Sequence, residues 1–205
     1  MPRIIQLYEE HAAAWDAEFR RIRDRFGDRI RCGRGCAACC SHMFSISPLE
    51  AAAIAGAVAR LPAQARDRLI GSAEAYLERA AGDGLRDDGT DAVTPRTGVR
   101  LPCPALDGDA CSIYDARPLI CRKWGIPVYD PAQPDRLHAC ELNFRAGDSL
   151  DAADIVAGQA SLLAQWTQLK KDAAGEDLPR QRSTVAEAIL HVRETLRGRV
   201  DADAC

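Results

Sequence analysis

The sequence predicts a mainly α-helical fold, a small helical domain around an irregular cysteine-rich centre. Three features predict it. Apolar residues recur at steps of three and four in the segments at both ends; no stretch shows the period-two alternation of a half-buried strand; and between Leu101 and Asn143 proline, glycine and cysteine accumulate while no helical period lasts beyond a turn or two.

The first element follows from Ile5, Tyr8, Ala12, Trp15, Phe19, Ile22 and Phe26, a stripe that predicts one amphipathic helix over about residues 3–26, closed by Gly27. Such a stripe can serve a dimer seam, but packing on the chain's own helices is the expectation. Arg20, Arg21, Arg23, Arg25, Arg29 and Arg31, interleaved with Asp24 and Asp28, read as a solvated helix face rather than a site for an anionic partner. Ser47-Pro48-Leu49-Glu50 is a helix start: Ser47 can cap, Pro48 fits the first turn and Glu50 can reach back. A helix over about 48–60 follows, and another runs from beyond Pro62 to about 80. Gly82 to Gly98 reads as an exposed loop. Two helices are expected near the end, about 149–171 and 184–197, the latter opened by Thr184-x-x-Glu187 and closed by Gly198. The expected organisation is an N-terminal helix over 1–29, a cysteine-cluster domain over 30–145 and a helical segment over 146–205 packed on it, as a single globular unit.

The 205 residues, 47% apolar and 28% charged, are enough for one well-buried core. A net charge of -3 gives no global electrostatic case for nucleic acid. Glu9, Glu10 and His11 interrupt the start too early for a secretory signal, and no run approaches the roughly 20 apolar residues of a membrane span. A cytoplasmic protein is therefore expected, of bacterial type by its Ala, Arg and Asp bias; a protein partner and the oligomeric state are left open. In a reducing cytosol clustered cysteines serve as ligands or catalysts more often than as disulfides.

Eight of the nine cysteines lie between positions 32 and 140. The first half is Cys32-x3-Cys36-x2-Cys39-Cys40; the second is Cys103, Cys111, Cys121 and Cys140, and the two halves have to meet in space. Thiolates are soft ligands, and sets of four suit zinc or iron–sulfur clusters. Cys36 and Cys39 can point at one centre from a single turn, with Cys32 reaching a further corner. Adjacent Cys39 and Cys40 diverge on most backbones, so Cys40 belongs to a second centre or is a free thiol; spacing does not partition the eight. Cys32-x3-Cys36-x2-Cys39 is also the spacing of radical S-adenosylmethionine enzymes, but the chain has neither the length nor the alternating strands of their barrel. Arg34, Arg117, Arg122 and Lys123 stand near the cysteines in sequence and can relieve thiolate charge, as can backbone N–H groups near Gly33, Gly35 and Gly125. His42 and His138 are within reach of a metal, although a hydrogen bond or exposure is the simpler role for each. Trp124 and Tyr114 read as apolar cover, and Cys205 as an exposed tail thiol.

Cys32-x3-Cys36-x2-Cys39-Cys40, Pro102-Cys103-Pro104 and Cys111-Ser-Ile-Tyr114-x2-Arg117-Pro118-x2-Cys121-Arg122 together resemble the bacterial cysteine-cluster family known as CxxCxxCC, a zinc- or iron-chelating domain. The resemblance covers roughly residues 30 to 140, and the chain departs from the shortest family spacing by three residues between Cys32 and Cys36 instead of two. It implies a small metal-chelating domain, often labelled an iron–sulfur protein. The flagellin lysine methylases are similar in this domain and carry an iron–sulfur cluster, which implies a group-transfer alternative; no Gly-x-Gly-x-x-Gly loop supports it. The leading expectation is an iron–sulfur cluster, [4Fe-4S] in type, or else zinc, held by Cys36, Cys39, Cys103, Cys111 and Cys121, with Cys32, Cys40 and Cys140 filling the remainder, in a redox or structural role. A third reading is a metal-free switch in which Cys39 and Cys40, or Cys103 and Cys111, form disulfides, with Arg117 and Arg122 activating the thiols. Hydrolase chemistry has little footing: there is no Gly-x-Ser-x-Gly, and only Cys140 with His138 could form a dyad.

Overall fold

The computed structural model of the chain describes residues 2–33, 35–83, 101–133, 137–144, 150–179 and 181–196. Among them the elements run α1 (Arg3–Phe26), α2 (Pro48–Ala59), α3 (Ala63–Gly82), β1 (Leu106–Asp107), β2 (Ala110–Cys111), α4 (Leu119–Lys123), β3 (Val128–Tyr129), β4 (Leu137–His138), α5 (Ala152–Asp172) and α6 (Val185–Leu190). The fold is mainly α, as expected. The four strands have two residues each and pair as two antiparallel hairpins, too short to display alternation in sequence. Of the Gly82–Gly98 loop, all but Gly82 and Asp83 lies outside the described residues, as do Arg34 and Cys205.

The chain forms two compact units, each assembled from two stretches: Met1–Arg34 with Leu119–Glu176, and Gly35–Pro118 with Asp177–Cys205. The cysteine-rich segment therefore contributes to both.

In the first unit α1 buries the stripe read from the sequence, with Ile5, Tyr8, Ala12, Trp15 and Ile22 all inside, against α4 and α5. Arg20, Arg23 and Arg25 of the same helix are exposed. Trp166 of α5 lies 6.0 Å from the Tyr8 ring and stacks on His11 at 5.9 Å. The helices approach closely at Gly158, where a Cβ would stand 2.5 Å from an Oε1 of buried Glu18, itself paired with Arg21 at 2.7 Å. Gln159, fully buried, fixes the third strand: its amide donates to the Pro127 carbonyl at 2.8 Å and its oxygen accepts from Tyr129 N at 2.9 Å. A buried amide with both ends satisfied avoids the desolvation penalty that a lone polar group would carry.

The second unit is built on α2, whose Leu49, Ala51, Ile54, Ala55 and Val58 are buried. Its alanines let α6 lie close, and α3 packs on α6 in turn. Both predicted capping boxes form: Ser47 with Glu50 opens α2, and Thr184 with Glu187 opens α6. The apolar core here, centred on Ile54, Val58, Ile113, Ile189 and Val192, also receives Cys103 and Cys111 at its edge.

Candidate metal centre

In the second unit the cysteines are brought together by irregular backbone. Ala38–Ser41 is one 3₁₀ turn, closed by Cys40 N donating to Ala37 O at 3.0 Å. The 101–103 stretch runs beside it: Leu101 N donates to Ser41 O at 3.2 Å and Cys103 N to Cys40 O at 2.6 Å. These bonds bring Cys40 and Cys103 side by side within the second unit. Cys103 O then accepts from Leu106 N at 3.0 Å, which leads into a tight hairpin in which Leu106 pairs with Cys111. Its turn needs Gly108, with φ of 58°, a conformation that costs a residue bearing a Cβ.

Cys40 is the focus of this group. The Cys39 thiol hydrogen-bonds to it, which with the Arg117 guanidinium outweighs burial and holds the Cys40 thiol down at about 7. Burial pushes the Cys103 thiol up to about 12, opposed by a backbone hydrogen bond from Ala105, and the Cys111 and Cys40 sulfurs add to the rise. The Cys111 thiol is also pushed up, first by burial. The Cys40, Cys103 and Cys111 sulfurs disfavour one another's ionisation, with the Arg117 guanidinium beside them, and a metal ion would relieve such a set because a bound cation stabilises every thiolate together. Arg117 is held in place by donating Nε to Tyr114 O at 2.7 Å, its guanidinium 3.5 Å above the Tyr114 ring. Tyr114 thus does more than cover the site, since it seats the cation. Cys36 belongs to the same unit and is half-buried.

Cys32, Cys121 and Cys140 belong to the first unit. Cys32 sits between Asn143 and Gly125: Asn143 Nδ2 donates to Cys32 Sγ at 3.4 Å, and a Cβ on Gly125 would stand 2.6 Å from that sulfur. Cys32 also packs against the small core of Ile22, Ile30 and Ile126. Cys121 lies in α4, and Cys140 O accepts from Asn143 N at 2.9 Å. Arg122 and Lys123, read from sequence as cations for the cysteines, engage α1: Arg122 pairs with Asp16, and the Lys123 ammonium stands 5.1 Å from the Trp15 ring centroid. His42 ends the 3₁₀ turn, its N–H on Cys39 O at 3.2 Å, and His138 is exposed on β4.

None of the eight described cysteines is in a disulfide. Among the described residues no three His, Cys, Asp or Glu side chains stand as a closed set of metal ligands. The fit to a metal therefore lies in donor chemistry: thiols of the second unit gathered around Cys40, reduced, half-buried and beside a guanidinium. Sequence reasoning missed Asn143, which carries no motif and acts across 111 positions, and Asp16, an ordinary helix carboxylate.

Among the described residues no helix is long and apolar enough to cross a membrane. No curated protein and no solved structure matches the chain. One family model does, over residues 31–140, and its description is a putative zinc- or iron-chelating domain. That span takes in all eight clustered cysteines and more than half of the 205 residues, so the chain belongs to the CxxCxxCC family.

Proposed function

We propose that this protein carries an iron–sulfur centre, of [4Fe-4S] type, bound by its clustered cysteines in the cytosol and serving a redox or structural role. The nucleus of the donor set is Cys39, Cys40, Cys103 and Cys111, with Cys36 a further thiol of the same unit, while Cys32, Cys121 and Cys140 of the first unit are donors to a centre of their own. The observation that carries the reading is the pairing of Cys103 N with Cys40 O at 2.6 Å, which sets Cys40, hydrogen-bonded by the Cys39 thiol, where its charge acts on Cys103 and Cys111. An all-sulfur set suits iron–sulfur clusters, and zinc is the other metal that the same donors accommodate. Such a cluster supplies one-electron transfer; the chain's own part is to gather the thiols, seat Arg117 against their charge and shield them with the core around Ile113 and Leu101.

The test is iron, zinc and acid-labile sulfide per chain on protein purified without oxygen, beside Cys40→Ala and Cys103→Ala. About four irons with about four sulfides, lost in both variants, is the expected result for a cubane cluster. Stoichiometric zinc without sulfide would replace the cluster by a zinc site on the same donors. Metal far below stoichiometry, unaffected by either substitution, would overturn the reading.

A further inference from the structure

Asn143 lies outside the span matched by the family model, is 2% exposed, and has its side-chain amide and its backbone N–H hydrogen-bonded. Its side-chain oxygen accepts from Arg31 N at 2.8 Å, which fixes the amide's orientation. Its Nδ2 therefore carries both remaining donors, one to the Gly125 carbonyl and one to Cys32 Sγ at 3.4 Å. Its backbone N–H bonds Cys140 O at 2.9 Å. One residue thus ties the three chain segments that bear the first unit's cysteines: Arg31 and Cys32, the Gly125 turn that follows Cys121 and α4, and the Cys140 turn.

The anchoring is reinforced on both sides. Phe144 N donates to Arg29 O at 3.2 Å, and the Phe144 ring meets Phe26 edge-on at 5.5 Å, so the 140–144 turn is pinned to the end of α1. Gly125, with φ of 109°, leaves the space into which the Cys32 sulfur fits. A turn needed for packing alone would be satisfied by the backbone bonds; the donor aimed at a sulfur is the part that packing does not require.

We infer that Asn143 is a positioning residue for the thiolates of the first unit, its buried amide donating to Cys32 Sγ and setting that sulfur for metal binding. This rests on the reading of Cys32 as a metal donor. Hydrogen bonds to ligand atoms fix ligand orientation, and their loss typically weakens metal binding by about 10- to 100-fold.

The experiment uses the full chain, reduced and metal-free, titrated with Co²⁺ against a competing chelator and followed by the thiolate-to-cobalt charge-transfer absorption. Asn143→Asp keeps the shape and the acceptor for Arg31 N but loses the donors; Asn143→Ser is a smaller second variant, and circular dichroism reports whether each is folded. Expected is Co²⁺ binding weakened about 10- to 100-fold in a folded variant, with an altered absorption band. Cys32→Ala should weaken binding too, and adding N143D to it should cost nothing more. Wild-type affinity in both folded Asn143 variants would overturn the inference, as would an equal loss from N143D whether or not Cys32 is present. Co²⁺ binding unchanged in Cys32→Ala would instead remove Cys32 from the donor set and take the role of Asn143 with it.

Discussion

Ile46 and Ser183 exchange two backbone hydrogen bonds, Ile46 N to Ser183 O at 2.8 Å and Ser183 N to Ile46 O at 3.2 Å. Each is followed at once by a buried cap residue, so α2 and α6 start side by side from one bridge. Ser47 and Thr184 are both nearly inaccessible, and each hydroxyl also donates to the carboxylate of its box, at 2.7 Å to Glu50 and 2.9 Å to Glu187. Ser47→Ala and Thr184→Ala should each lower stability by about 1 to 2 kcal/mol in denaturant titrations. Because both caps lean on the same bridge, the double variant should cost less than the two losses added.

Labelling of Cys40 in reduced, metal-free protein should follow its ionisation. Iodoacetamide should reach half its maximal rate near pH 7 at this position, because the Cys39 hydrogen bond and Arg117 favour the thiolate. Cys39→Ala should move that midpoint up toward the ordinary thiol value of about 8.5, and Arg117→Gln should move it the same way by less, since the hydrogen bond is the larger cause. Cys103, pushed up to about 12, should stay unlabelled while Cys40 reacts. Mass-spectrometric mapping across a pH series reads all three.

Acid should weaken the first unit through His11. Trp15 Nε1 donates to His11 Nε2 at 3.1 Å, which requires that nitrogen to be unprotonated, and burial lowers the His11 pKa against the opposing pull of Gln165 and with help from the Lys123 charge. The folded-state pKa is depressed, so the unfolded chain takes up the proton first. Stability should be level above the unfolded value of about 6.5 and fall as the pH drops below it, by no more than about 1.4 kcal/mol per pH unit for one proton. His11→Gln keeps an acceptor for Trp15 and should flatten that slope in thermal melts taken across this range.

Gly125→Ala joins two penalties at one position. The backbone has φ of 109°, and the new methyl would stand 2.6 Å from Cys32 Sγ and 2.7 Å from its Cβ. A loss of about 1 to 3 kcal/mol in equilibrium unfolding is expected from the backbone conformation alone. Cys32 should also be alkylated faster than in the wild type, because the sulfur has to leave its niche. Unchanged labelling with unchanged stability would show that the turn accommodates a side chain after all.

What could be read from the sequence was what local rules control. The stripe from Ile5 to Ile22 fixes the buried face of α1 because side chains three and four apart share a face, and both capping boxes rest on residues three apart. α5 starts at Ala152 rather than near 149 because the Asp151 carboxylate accepts from Ala153 N and takes the cap position. α6 ends at Leu190, with further helical turns over 192–196, where one run to 197 was expected. That the chain belongs to the CxxCxxCC family was legible in the spacing of its cysteines. Their neighbours were not: Cys40 beside Cys103 depends on a backbone bond across 63 positions, and Asn143 on Cys32 on a side-chain bond across 111, which no short-range pattern encodes.

Because the first unit is built from stretches on both sides of Gly35–Pro118, its formation is tied to the order in which a ribosome releases the chain. α1 ends at Phe26, but α5, which covers Tyr8 and His11 with Trp166, begins at Ala152. At translation rates of about 5–20 residues per second, α1 waits on the order of ten seconds for its partner. Throughout that interval Tyr8 and His11 lack Trp166, and for most of it Cys32 lacks Asn143. A nascent chain arrested short of Ala152 should therefore engage folding helpers through its first helix, and release them only when the last third of the protein has emerged.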